Sequence, residues 1–171
     1  MPAYNEVAHI ADVITGAKQY ADMILVVDDG SIDDTVMIAR GLGAMVIRHE
    51  NNKGYGGALQ TIFSTARDLN AEELVIIDSD GQHDHRDIPR LLAELRMGSD
   101  VVIGSRFNGA NGEGIPLYRK VGMKVLDVAT MLAGDNLEIT DSQSGFRAYG
   151  RRAIKIIDIS AEGMSAGSEI L

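Results

Sequence analysis

The stretch that decides the fold is Leu74-Val75-Ile76-Ile77-Asp78-Ser79-Asp80-Gly81-Gln82-His83. An apolar run rich in β-branched residues passes straight into a pair of carboxylates. The run has the length of a strand, and strands covered on both faces read as continuous hydrophobics. Carboxylates just past such a strand lie at its carboxyl end, where open α/β sheets bind ligands. Asp78 and Asp80 are placed to share a hard divalent cation, which prefers oxygen ligands and takes phosphate oxygens alongside. A turn rich in Asp and Gly is the plainer use of the same residues.

The pattern extends on both sides of this stretch. Upstream, Ile24-Leu25-Val26-Val27 ends in Asp28-Asp29-Gly30-Ser31, and Met45-Val46-Ile47 reads as a short strand. Val7, Ile10, Val13, Ile14 and Ala17 recur at helical spacing, with Asn5 as the expected cap. Asp33-Asp34-Thr35 opens a second helix. Asn51 to Gly57 reads as a polar, glycine-rich loop, with a helix from Ala58 to Leu69 after it. Downstream, Asp87-Ile88-Pro89 starts a helix with its stripe at Ile88, Leu91, Leu92 and Leu95. Val101-Val102-Ile103-Gly104 is a further strand, Tyr118 to Ala133 reads as a helix, Gly145 to Tyr149 as a strand, and Ala153 to Ile157 as a short helix. Strands alternating with helices imply a mostly parallel sheet with helices packed against it. The polar clusters Asn5-Glu6, Asp28-Asp29, Asp78-Ser79-Asp80 and Ser105-Arg106 should therefore line one sheet edge.

Composition narrows the function. The 171 residues suffice for a single domain with a true core. A net charge of −9 argues against a nucleic-acid surface. There is no cysteine, hence no disulfide framework and no thiolate nucleophile. No apolar run has bilayer-spanning length and no secretory signal opens the chain, which reads as cytoplasmic. The P-loop pattern is missing, and Gly54-Tyr55-Gly56 starts a dinucleotide fingerprint that Leu59 breaks.

Pro2-Ala3-Tyr4-Asn5-Glu6, Val27-Asp28-Asp29-Gly30-Ser31, Asn52-Lys53-Gly54, Asp78 to His83, Gly104-Ser105-Arg106-Phe107 and Ser144-Gly145-Phe146-Arg147 together resemble a family-2 glycosyltransferase. The nearest subgroup is the dolichyl-phosphate mannose synthase-like enzymes. The resemblance implies a GT-A (Rossmann-like) fold over residues 1–171, a GDP- or UDP-hexose donor, and Mg²⁺ or Mn²⁺. It implies a polyprenyl or dolichyl phosphate acceptor, inversion at the sugar, and peripheral association with a membrane.

The same resemblance distributes roles. Pro2, Ala3, Tyr4, Glu6, Val27, Asp28, Asp29 and Lys53 line the donor's nucleoside end. Asp78, Ser79 and Asp80 meet the diphosphate, and Asp78, Asp80 and Gln82 hold the metal. Arg106 and Arg119 neutralise phosphate, Arg119 and Arg147 steady an acceptor phosphate, and Asp141 faces the acceptor. Asp80, Arg106 and Asp141 carry the catalytic roles. The glycine-rich stretch from Asn108 to Gly114 is expected to close over the sugar. His83 and His85 neighbour the aspartates but are poor partners for a hard cation. In the family a strand precedes Pro-Ala-Tyr-Asn-Glu and further helix follows Leu171. The chain is thus expected to be truncated, with the first strand missing.

Two other readings stand beside this one. Ile76-Ile77-Asp78-Ser79-Asp80-Gly81 also resembles the nucleophile motif of haloacid-dehalogenase-type phosphatases, with Asp78 as nucleophile and Asp80 as acid/base. Gln82 stands where that family has threonine. A non-catalytic nucleotide-binding module is the other.

Overall fold

The computed structural model describes residues 1–104, the backbone of 123–126, and residues 145–158. Arg106, Arg119, Asp141 and the stretch 108–114 lie outside the described residues.

The order is β1 (Pro2–Ala3), α1 (Ile10–Ala17), β2 (Leu25–Asp28), α2 (Thr35–Gly41), β3 (Met45–Arg48), α3 (Gly54–Asp68) and β4 (Glu73–Ile76). A 3₁₀ turn (His85–Asp87), α4 (Ile88–Arg96), β5 (Val101–Gly104), β6 (Met123–Leu126), β7 (Arg147–Gly150) and α5 (Arg151–Ile156) follow.

β1, β2 and β3 pair in parallel, in that order. The strand expected to be missing is therefore present in short form. The Val27 amide donates to Met1 O at 2.9 Å and the Asp29 amide to Ala3 O at 2.8 Å, so even two residues make ladder bonds. The second set runs β4-β7-β5-β6. β4 and β5 share a direction, but β7 enters between them reversed, and β6 runs antiparallel to β5. Two of these strands correct the sequence reading in detail. Residues 123–126 lie inside the span read as a helix, yet they form a strand because β5 offers them an edge, with Gly104 opposite Met123.

Alternation along the strands divides the core between two faces. Val26, Val102 and Ala148 join Ile10, Val13, Ile14, Ala39, Leu91, Leu92 and Leu95, so α1, α2 and α4 cover one face. Val27, Val101, Ile103 and Tyr149 join Leu59, Ile62, Phe63 and Ile154, so α3 and α5 cover the other. Phe63 meets Tyr149 edge-on at 4.9 Å between ring centres. Each fully buried side chain of this kind contributes about 1.5–3 kcal/mol.

The loops at the carboxyl ends are tied to each other by side chains. Asn5 caps no helix. It sits at φ +56°, a conformation asparagine tolerates. Its carboxamide oxygen accepts from the Ile32 amide at 2.9 Å. The Asn5 amide donates to Ser31 Oγ at 2.8 Å and the Glu6 amide to Thr35 Oγ1 at 2.8 Å. Asp33 accepts from the Thr35 amide at 3.0 Å and from the Val7 amide at 3.2 Å. Ser79 Oγ donates to Pro2 O at 2.7 Å and so joins the two strand sets.

Candidate active site

The candidate site is built where β1, β2, β3 and β4 end and β7 begins. Tyr4 to Glu6 follow β1, Asp28 and Asp29 end β2, Arg48 and His49 end β3, and Asp78 to Gln82 follow β4. Arg147 opens β7, opposite both Ile76 and Ile103. One edge thus gathers Asn5-Glu6, Asp28-Asp29 and Asp78-Ser79-Asp80, as expected; Ser105-Arg106 lies outside the described residues.

Within that edge the residues divide by what they can touch. Pro2, Ala3 and Val27 are buried, so their side chains are closed to a ligand. Tyr4 is 48% exposed and its ring is open to a ligand. Asp28 is fully buried; its Oδ2 accepts from the Ser31 amide at 3.2 Å and faces Arg48 Nε at 3.3 Å. Arg48 also donates to Ser31 O at 2.6 Å.

Asp29 is occupied too. Its Oδ1 accepts from the Lys53 amide and its Oδ2 from the Gly54 amide, both at 2.8 Å. These are donors at the start of α3 that lack intrahelical partners, and the Gly54 amide is shared with Asn52 Oδ1 at 3.0 Å. The structure shows Asp29 capping a helix that begins 25 residues further along the chain. That cap starts α3 at Gly54 and turns part of the expected loop into helix. Gly54 itself has φ +75°, which glycine adopts freely. Ser79 is buried, its hydroxyl held by Pro2.

Asp78 sits at the centre. Tyr55 Oη donates toward its Oδ1 at 3.5 Å, and His83 Nε2 lies 3.5 Å from its Oδ2. The His83 ring tilts over Phe146 at 5.3 Å. Gly145 lies so close that a Cβ there would overlap the Asp78 carboxylate. Burial, then the Asp78 charge, pushes the Tyr55 phenol well above its usual value, so Tyr55 stays a donor. Asp80 accepts from the Gln82 amide at 2.9 Å, which folds the turn around Gly81. Arg147 is 3% exposed, a guanidinium set inside the sheet.

Glu6 senses the same group of acids. Burial first, then the charges of Asp80, Asp33 and Asp78, hold its carboxyl above the ordinary glutamate value, with His9 acting the other way. The sign follows directly. A raised carboxyl contributes stability below its unfolded value and loses it as pH rises through the folded value. Glu6→Gln should therefore raise the melting midpoint at pH 7 and leave it nearly unchanged well below the ordinary glutamate value. Melting curves at the two pH values check this, and an equal shift at both would refute it.

The Asp78 and Asp80 carboxylates offer oxygen ligands, which suit a hard divalent cation. Among the described residues no three His, Cys, Asp or Glu side chains converge into a ready-made cage. Mg²⁺-type sites use one or two carboxylates and take the rest from substrate phosphates and water.

Sequence reasoning missed Tyr55, His49 and the role of Gly145. Tyr55 stands in the stretch read as loop and His49 just past the strand read at Met45 to Ile47, and only the packing brings them to Asp78 and Asp29. Gly145 was visible as part of a motif, but its contact spans the sheet.

Residues 1–157 match Glycosyl transferase family 2. The UDP-N-acetylglucosamine–dolichyl-phosphate N-acetylglucosaminyltransferase of Methanococcus voltae is 36% identical over 177 residues, 92% of this chain and 70% of that protein. The dolichol-phosphate mannosyltransferase of Pyrococcus furiosus is 32% identical over 181 residues, all of this chain and 51% of that protein. Glucosyl-3-phosphoglycerate synthase from Mycobacterium tuberculosis, crystallised with Mn²⁺ and UDP-glucose, superposes with a TM-score of 0.66 at 26% identity. The match covers 97% of this chain and 59% of that one.

The α/β architecture is the GT-A fold, and the chain belongs to glycosyl transferase family 2. The phosphatase reading of Asp78 falls with that assignment. Among the described residues no helix is long and apolar enough to cross a membrane.

Proposed function

We propose that this chain carries the donor site of an inverting hexosyltransferase that moves mannose or glucose from a GDP- or UDP-sugar to a polyprenyl phosphate at a membrane surface. The observation that supports it most is the placement of Asp78, Ser79 and Asp80 directly after β4, at the edge where β1 and β2 also end, with Ser79 Oγ bonded to Pro2 O at 2.7 Å. Carboxylates at such an edge suit a hard cation and the phosphates it binds. The names of the two dolichyl-phosphate relatives support the acceptor, and the Mn²⁺–UDP-glucose complex of the mycobacterial enzyme supports the donor class.

In this reading Asp78 and Asp80, with Gln82, would hold Mg²⁺ or Mn²⁺. A divalent ion there supplies positive charge to the diphosphate leaving group. The chain's own groups do the rest. Tyr4, Glu6 and the Pro2–Ala3 backbone receive the nucleoside, beside the Asp29–Lys53 turn. Tyr55 and His83 keep the Asp78 carboxylate aimed. Arg106 and Arg119 take the charge that develops as the sugar–phosphate bond breaks, when it is worth most. A phosphate acceptor is already anionic and needs no strong base, so Arg119 and Arg147 need only position it. For a hydroxyl acceptor, Asp141 is the base.

The test is a screen of GDP- and UDP-hexoses against a short-chain polyprenyl phosphate, with Mn²⁺ or Mg²⁺. Transfer with inverted anomeric configuration is the expected result. Product of retained configuration overturns the mechanism, and nucleotide binding with no transfer to any acceptor favours the non-catalytic module.

A further inference from the structure

β3 ends in two basic residues, and each meets one acid of the neighbouring turn: Arg48 faces Asp28 and His49 faces Asp29. The second pair is the more enclosed. His49 is 6% exposed, with Nδ1 2.7 Å from Asp29 Oδ1 and Nε2 2.9 Å from Thr61 Oγ1. The Thr61 hydroxyl has both Gly57 O, 3.0 Å away, and the ring Nε2 within hydrogen-bond reach. A carboxylate only accepts, so Nδ1 donates to Asp29. The ring is thus a strut. One end bears on the body of α3, and the other on the carboxylate that holds the first amides of α3.

A helix cap alone does not need this. A local Ser, Thr, Asn or Asp suffices at most helix starts. Burying an imidazole against a carboxylate carries a desolvation cost that capping does not require. What the strut adds is a fixed position for Asp29 and, through it, for the Lys53–Gly54 turn. Asp29 lies directly after β2, its amide donating to Ala3 O, where the Tyr4 end of the site begins.

We propose that His49 is a positioning residue for donor binding: it locks Asp29, and with it the Lys53–Gly54 turn, against the nucleoside end of the site. The inference rests on the nucleoside-diphosphate reading above. It concerns affinity for the nucleotide, and it acts through Nδ1 rather than through the bulk of the ring.

Three substitutions separate these contributions. His49→Asn places an amide NH₂ near the Nδ1 position and keeps the bond to Asp29. His49→Gln reaches toward Thr61 and leaves Asp29 without it. His49→Leu keeps volume and loses both. UDP and GDP, each with Mn²⁺, are titrated calorimetrically into the wild-type chain and the three variants, and melting midpoints are recorded alongside. Wild type should bind one of the nucleotides. His49→Gln and His49→Leu should weaken that binding by about tenfold or more, the worth of a hydrogen bond to a charged group. His49→Asn should stay within about threefold of wild type, because the bond to the carboxylate is retained. Affinity should follow which nitrogen is replaced, whatever the midpoints do. Equal binding by all variants, or losses that track the midpoint alone, would overturn the proposal while leaving the donor reading intact. A wild-type chain that binds neither nucleotide would overturn both. Should His49→Leu fail to fold, the Asn–Gln pair decides.

Discussion

Asp80→Ala should leave the melting midpoint of the chain near that of wild type and lower Mn²⁺-dependent nucleotide binding and sugar transfer by about 10²–10³-fold, the scale of losing one well-aimed electrostatic group. The two halves of this expectation have separate causes. In the folded chain the Asp80 carboxylate accepts from the Gln82 amide inside its own turn. Removing it loosens one turn bond and relieves the repulsion that Glu6 feels from it. Those two effects oppose each other, so stability changes little. Function has no such compensation. The turn after β4 places Asp80 toward Glu6, at the edge where the donor's phosphates are proposed to lie. Calorimetry with and without chelator, beside a melting curve, reads both halves. Unchanged Mn²⁺-dependent binding would remove Asp80 from the proposed site.

The parts of the fold that were legible in the sequence are those set by short-range pattern. Val26-Val27 and Val101-Val102-Ile103 are buried on both sides, and their unbroken apolar runs say so. Ile88, Leu91, Leu92 and Leu95 show one helical stripe, and the structure buries all of them. The misreadings share a different origin. α3 begins at Gly54 because Asp29, far upstream in sequence, caps it. Nothing near Asn51 to Gly57 announces a partner at that distance. Residues 123–126 carry apolar residues at helical spacing, yet the edge of β5 takes them as a strand. There tertiary pairing overrides local propensity. The reversed entry of β7 between β4 and β5 is a matter of topology, which periodicity does not encode. For the site, the sequence showed which acids gather at one edge. It did not show that Asp28 and Asp29 are engaged within the fold, or that Tyr55 and His83 flank Asp78.

Gly145→Ala should cost function far more than it costs folding. Gly145 precedes β7, and its missing side chain is what lets the Asp78 carboxylate occupy its present place. A methyl group there overlaps that carboxylate. The obstacle is the end of a side chain, so the fold yields by turning Asp78 rather than by moving strands. In the folded chain Asp78 is about one-fifth exposed, with 19% of its side-chain surface open, so it has somewhere to turn. Its contacts to Tyr55 and His83 are long, at 3.5 Å each, and their loss costs little stability. The midpoint should therefore fall by only a few degrees, an effect of about 1 kcal/mol. The site loses more. Turning Asp78 shifts its oxygens by an ångström or more, and misplacement of that size costs about 10²-fold in a positioned reaction. Nucleotide affinity measured with Mn²⁺ should fall alongside transfer, while affinity measured without metal should change far less. A variant that melts early and still transfers sugar at the wild-type rate would show that Gly145 serves packing alone, and that Asp78 reaches its working position by another route.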